Sequence, residues 1–479
     1  MTERPTTTDL ERRDLTLDLA RVVCVLMVIT IHLLFVGVGP NSEGGLSVSR
    51  PLEEQPWFWA ATWVGQIMPL FFVVGGFATA TSLRSLRHRE SDADRADRIF
   101  LHSRMQRLIR PALPLFLLLA AALGAATAVG VDHSLLDAVA TGIGSPLWFL
   151  CAYLLCQFAA PTLLRLHARA PRVTMLVLLA CVIAVDVARF LWADAPRDQA
   201  GVGIGGYLNL LFAWALVHQI GFWYADGWFA RRRAWQLIGM AVIAWASLIP
   251  LTAWLPYSLD MLSNLNPPTL PLVALGIGQA ALLQLLKPPL TALMRTRAAR
   301  AVVYVVGSRL MTIYLWHLPL IIVLAGVGLL IPGASPVPGS ADWWLTRPIV
   351  LVILLAALMG LSVPLRRLEQ PAPVLQPASR PTLVVVAMLA VVPTFLITVF
   401  GLDLPSSVAG AIGFGIGAVM LGAGQKPKSP KSAPPKSAPP KSELPTSEPA
   451  SPPSAVASGS APALSPQGRN ALMSADPTT

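Results

Sequence analysis

The sequence predicts an all-α protein embedded in a membrane. It reads as a polytopic bundle of about ten core transmembrane helices, about two more towards the C-terminus, and a disordered tail. Composition is the first reason. Of 479 residues, 54% are hydrophobic and only 13% are charged, and the mean hydropathy is +0.61. Chains of this length with so little charge are built for lipid. The second reason is the spacing of apolar runs. Runs of span length occupy about 17–38, 57–83, 108–130, 146–164, 173–192, 204–224, 235–255, 268–286, 309–331, 343–365, 381–401 and 405–423. The third reason is where positive charge falls. With the N-terminus inside, all but five of the 36 Lys and Arg lie on the cytoplasmic side. Arg50, Arg197 and Arg347 fall outside, and Arg189 and Arg309 lie within spans. That asymmetry is the positive-inside pattern, and it places both chain ends in the cytoplasm.

In chain order, residues 1–16 read as a short cytoplasmic tail, 17–371 as the main membrane domain and 372–424 as additional transmembrane helices. Residues 425–479 repeat a Pro-Lys-Ser-Ala-Pro pattern, too polar to bury a core, and read as disordered. Pro69, Pro114 and Pro319 fall inside apolar runs, where neighbouring helices re-satisfy the freed carbonyls. The stretch from Arg84 to Arg110 mixes arginines with Glu90, Asp92, Asp94 and Asp97. It reads as a solvated, topology-setting loop, with a helix lying on the surface as the other reading. Cys24, Cys151, Cys156 and Cys181 sit in apolar runs with neither disulfide nor zinc spacing, so they read as small core residues. No metal-ligand set is expected. The formal charge of +11 sits in loops beside the spans, so the lipid bilayer, not nucleic acid, is the expected partner.

One stretch organises the rest. Arg21 and His32 lie eleven residues apart in the first apolar run. Eleven helical steps return to within roughly 20° of the same face and rise roughly 16 Å. The charge then lies near one surface and the imidazole deep in the bilayer, where an ionisable group is expensive and marks function by default. A neutral buried imidazole accepts a proton from a hydroxyl, which suits acyl transfer to an alcohol. It equally suits a proton relay in a transporter, and a plain interhelical hydrogen bond fits the spacing as well.

Three further groups carry polar chemistry. Arg107 and Arg110 join Arg21 at the inner face, and arginine forks suit phosphates. A donor with a phosphate-rich head and a long thin arm, the shape of coenzyme A, would be held there with its arm towards His32. Lipid-phosphate anchoring is the simpler reading for any one of the three. Tyr314 and His317 share a helix face at a spacing of three, close to Gly307-Ser308-Arg309. Glu369 follows the Arg366-Arg367 pair, which makes an ion-pair role the simplest one. Trp57, Trp59, Trp63, Trp343 and Trp344 fall near outer span ends, as an aromatic belt does.

These residues resemble the type-3 membrane acyltransferase family over roughly 14–371. Asp18-x-x-Arg21 with Arg21-x(10)-His32 resembles its first-helix signature, and Pro69 to Phe77 its second-helix run. Arg107-Leu-Ile-Arg110-Pro111 and Leu147-Trp148-Phe149-Leu150 resemble the starts of its third and fourth helices. Ile313 to Pro319 and Glu369-x-Pro371 resemble its late motifs. Gly75 stands where the family often has serine, and Leu310 where it commonly has Ser or Thr.

The resemblance implies acyl-CoA-dependent O-acyl transfer, with acetyl-CoA the expected donor and no permanently bound cofactor. The acceptor would be a hydroxyl of a cell-envelope glycan or glycolipid, and the location the inner membrane. It implies His32 and Arg21 as the reacting pair and Arg21, Arg107 and Arg110 as holders of the donor. Tyr314, His317, Glu369 and Trp148 would shape the substrate site. The alternative is a twelve-helix transporter or exporter of an envelope precursor. It lacks visible internal symmetry between halves, which such folds often show.

Overall fold

The computed structural model describes residues 14–40, 46–131, 133–192, 196–197, 203–370 and 374–423. The predicted N-terminal tail up to residue 13, Pro371 and the tail from 425 onward lie outside the described residues. Helices dominate the described residues, joined by turns and loops, and the strands are confined to one short hairpin. Ten helical stretches are long and apolar enough to cross a membrane, and a bent pair makes an eleventh.

The first span is α1 (Leu15–Phe35). The Asp14 carboxylate accepts the Thr16 amide at its start, capping an otherwise open helix end. Lys287 pairs with the same carboxylate at 2.7 Å. An antiparallel hairpin follows, β1 (Gly37–Pro40) and β2 (Leu46–Ser49), with Val38 opposite Val48. The predicted run 57–83 is one span broken in two, α2 (Phe58–Gly65) and α3 (Met68–Arg89). Pro69 brings no amide donor to the break. The Gln66 carbonyl freed there is taken by the Gln279 amide at 2.6 Å, the satisfaction that a break inside lipid requires.

The Arg84–Arg110 stretch is a correction. It is not a loop: α3 runs on to Arg89, and α4 (Ala93–Ala128), capped by Asp92, begins after three intervening residues. Two of the acids there brace helices. Asp97 is buried and pairs with Arg87 at 2.8 Å and Arg165 at 3.4 Å. Asp94 pairs with Arg98 and Arg380.

Next come the short α5 (His133–Gly144), then α6 (Leu147–Arg169) and α7 (Pro171–Leu191). A 3-10 turn (Ile204–Leu208) leads into α8 (Asn209–Ala225). The span 234–254 is α9 (Ala234–Ala246) plus α10 (Leu248–Trp254). The bent pair is α11 (Leu270–Leu285) and α12 (Lys287–Leu293), set at 58°. Short α13 (Arg297–Gly307) packs Val303 and Val306 against Val22 and Leu26 of α1. Its opposite side exposes Val302 and Tyr304, an amphipathic arrangement suited to the bilayer interface. Then follow α14 (Leu310–Leu330) and α15 (Ala341–Glu369). The last pair, α16 (Arg380–Phe400) and α17 (Leu404–Gly422), is joined through Gly401 at φ 85°, a value that favours glycine.

The bundle is tightest where α3 crosses α8. A Cβ on Gly76 would stand 2.1 Å from the His218 carbonyl oxygen, and one on Gly221 would stand 2.1 Å from that of Val73. Two glycines thus let two backbones touch, the small-residue packing that membrane helices use. The outer surface keeps Val177, Ile243, Val352 and Val392 exposed, as a lipid-facing belt requires.

Candidate functional site

The site is built from α1, α14 and α6, with α4 at its lower end. His32 projects from the last turn of α1 towards α14. Its ring lies 4.9 Å from the His317 ring, at 66°. His32 is half-buried and His317 fully buried. The two rings are oriented alike. His32 Nδ1 faces the Val28 carbonyl at 2.8 Å, and His317 Nδ1 faces the Tyr314 carbonyl. A neutral imidazole facing a carbonyl carries its proton on that nitrogen. Nε2 is therefore the basic nitrogen of both rings, and His317 Nε2 is buried with no hydrogen-bond partner.

α14 is held near its start by two neighbouring elements. Tyr314 is buried and donates its hydroxyl to the Pro146 carbonyl at 2.7 Å. Glu369, at the end of α15, accepts the Thr312 amide. Thr312 lies in the first turn of α14, so the carboxylate acts as a cap supplied by another helix. Arg309 at the foot of the same helix interacts electrostatically with that carboxylate. Glu369 thus touches the helix that carries Tyr314 and His317.

Below the histidines an aromatic ladder descends towards the arginines. Tyr314 lies 5.5 Å from His317 and 4.7 Å from Phe149, which stacks on Tyr153 at 5.5 Å. Trp148 turns the other way. It stacks on Trp214 at 5.6 Å, and Trp214 stacks on Phe72 at 4.2 Å. It therefore backs the ladder through Phe149, whose ring lies 6.0 Å away.

At the foot of the ladder is positive charge. Arg104 feels the charges of Arg107 and Arg21, and also the Tyr153 hydroxyl. Arg21 Nε is buried with no hydrogen-bond partner. Arg107 is exposed and Arg110 half-buried. The structure thus sets His32 beside His317 and Tyr314 beside His317, and brings Arg21 within electrostatic range of Arg104 on α4.

Arg104 and Tyr153 were not singled out from the sequence, and His218 had no role assigned from it. The signal for Arg104 is visible in retrospect as a triplet at intervals of three, Arg104, Arg107 and Arg110. His218 is fully buried, with Nδ1 on the Phe72 carbonyl at 3.2 Å and Nε2 without a partner. Its ring and that of Tyr153 flank Gly75, where an added Cβ would meet them at 3.5 and 3.4 Å. Asp186 proves structural. It accepts from Asn209 at 2.9 Å, Tyr257 at 2.9 Å and the Leu270 amide at 3.0 Å, tying α7 to α8 and α11.

A family model described as an acyltransferase domain matches residues 14–367. It covers α1 through nearly all of α15 and leaves α16 and α17 beyond its end. No curated protein and no solved structure matches the chain. The histidine pair, the aromatic ladder and the inner arginines all fall inside the matched span, and the chain belongs to the acyltransferase 3 family as a membrane-embedded acyltransferase.

Proposed function

We propose that this acyltransferase moves an acyl group, acetyl as the working case, from cytoplasmic acyl-CoA to a hydroxyl of a cell-envelope glycan or glycolipid. The observation that carries the reading is the unbroken series of side-chain neighbours from the arginines to His32, through Tyr153, Phe149, Tyr314 and His317. A phosphate head held by Arg21, Arg107 and Arg110 would leave its neutral arm to run along the aromatic wall, thioester foremost. Guanidinium forks supply the bidentate hydrogen bonds that phosphates accept.

In the reaction, His32 Nε2 removes the proton of the acceptor hydroxyl as its oxygen attacks the thioester carbonyl. The tetrahedral intermediate then expels the CoA thiolate. The imidazolium returns its proton to that sulfur, leaving an ester, a free thiol and a neutral histidine. His317, held by the Tyr314 carbonyl, confines the His32 ring from one side. The acceptor enters from the end opposite the arginines. The positive-inside pattern supports an inner-membrane location with both chain ends cytoplasmic.

The test is transfer of label from acetyl-CoA to envelope extract by purified protein, paired with an inventory of envelope esters after gene deletion. Label transfer and a missing ester are expected. No transfer from any acyl-CoA, with flux of an envelope precursor into vesicles instead, would replace this reading by the transporter one.

A further inference from the structure

The end of α1 away from Arg21 carries a charged group that the reaction above does not use. His32 lies in the last turn of α1, which ends at Phe35, and the Phe35 ring meets the imidazole edge-on at 6.2 Å. The chain returns to that ring after the hairpin. The Arg50 guanidinium lies over Phe35 at 5.0 Å, a cation–π contact. The turn that follows is fastened to α1, because the Leu52 amide donates to the Leu34 carbonyl at 3.3 Å. Arg50 pairs with Glu53 at 2.5 Å, and its amide donates to the Glu54 carboxylate at 3.2 Å. Among the described residues the guanidinium has no other hydrogen-bond partner, and Arg50 is exposed. Arg347 differs, since its fork turns back to the Trp343 carbonyl and the Thr346 hydroxyl of its own helix, both at 3.1 Å. Trp344 packs against the cluster of Phe35, Leu52 and Phe58 and keeps part of its surface uncovered.

This combination has a recognisable chemistry. A sugar hydroxyl both donates and accepts, so it is best met by donors and acceptors side by side. Arg50 supplies the donors, Glu53 and Glu54 supply the acceptors, and the Trp344 indole offers an apolar surface for the C–H face of a pyranose. One guanidinium between two carboxylates leaves the group net negative. A phosphate- or carboxylate-bearing acceptor would meet like charge there, which is how a site rejects a wrong partner. We infer that Arg50, Glu53 and Glu54 form the acceptor subsite and select an uncharged sugar, whose reacting hydroxyl extends past Phe35 to His32. This rests on the acceptor being an envelope glycan or glycolipid, and it adds that the acceptor is neutral. Arg50 orders the acceptor and takes no part in proton transfer.

The experiment supplies labelled acetyl-CoA to full-length protein in phosphatidylcholine nanodiscs. The acceptors are envelope glycans and glycolipids separated by anion exchange into neutral and anionic fractions. Wild type should label the neutral fraction at least about tenfold faster than the anionic one. Arg50→Gln should raise the KM for the neutral fraction roughly tenfold, while CoA affinity on the same preparation holds. Arg50→Lys should recover part of that loss, since charge returns without the fork. Glu53→Gln combined with Glu54→Gln should narrow the preference for the neutral fraction. Faster labelling of the anionic fraction by wild type overturns the inference, as does an unchanged preference in the double variant. If Arg50 only fastens the turn to Phe35, Arg50→Gln lowers the melting temperature and leaves the acceptor KM as it was, which also overturns it. Wild-type protein that labels neither fraction removes the proposed transfer itself, and the subsite with it.

Discussion

His32 and His317 each commit Nδ1 to a carbonyl of their own helix, Val28 and Tyr314 respectively, so each ring presents the same nitrogen to the space around it. The second imidazole lies 4.9 Å away. Arg21→Lys keeps the charge but loses the fork. It should raise the donor KM about tenfold with kcat little changed, and an unchanged KM would argue against phosphate contact. Glu369→Ala removes the cap on the first turn of α14 and should lower thermal stability by about 1 kcal/mol. Because the capped helix carries His317, kcat should fall as well, and a melting curve alongside turnover checks both. Glu369→Gln retains an acceptor for the Thr312 amide and should recover most of the stability. That Arg21 shares a helix with His32, and Tyr314 a helix face with His317, was legible in the sequence, because spacing within one helix fixes the face. Phe149 against Tyr314 and Arg104 beside Tyr153 were not, because those contacts join α6 to α14 and α4 to α6. No periodicity within one segment encodes such a meeting.

At the level of elements, the α3–α8 crossing sets how closely the two backbones carrying Phe72, Gly75 and His218 approach. Gly221→Ala would put a methyl against backbone at Val73 and Phe77, which cannot swing aside. The expected cost is about 1–3 kcal/mol of overpacking, read as a lower melting temperature; a neutral result would mean that the helices separate freely. The pair α16–α17 lies beyond the family match yet grips the arginine-bearing helix. The Ala378 amide donates to His102 at 3.1 Å, Gln106 donates to the Leu421 carbonyl at 3.4 Å, and Phe116 stacks on Phe414 at 4.7 Å. Gly410 gives that stack its room, since a Cβ there would stand 2.2 Å from the Phe116 ring. Gly410→Leu should therefore disturb α4 and lower both stability and donor affinity, measured by thermal shift with and without CoA. All twelve apolar runs proved helical because the bilayer leaves a long apolar segment few other choices. The β1–β2 hairpin was not anticipated, since Gly37, Gly39 and Pro40 are weak strand formers. The run-on of α3 and α4 was hidden by charge, because acids such as Asp97 look solvated until their partner, Arg165 on α6, is known.

Over the whole molecule, charged pairs tie helices together. Burial pushes the Asp14 carboxyl up, but Lys287 and Thr16 outweigh this and hold it below the ordinary aspartate range. Burial likewise raises Asp226, and His167 and Arg84 bring it below that range. A carboxyl lowered by folding stabilises the fold fully above its unfolded value, roughly 3.9. That stabilisation drains away as pH falls through the folded value. Solubilised protein should thus hold its melting temperature between about pH 5 and 7 and lose it below about pH 4. Asp226→Asn should be less stable at neutral pH and show a shallower acid decline. The proposed reaction requires a donor site at the arginine end to be served by a base at His32. The most direct measurement is single-turnover acyl transfer by His32→Gln, with CoA affinity determined on the same preparation. Wild-type affinity with transfer reduced by at least about a hundredfold is predicted, whereas transfer at the wild-type rate would contradict it.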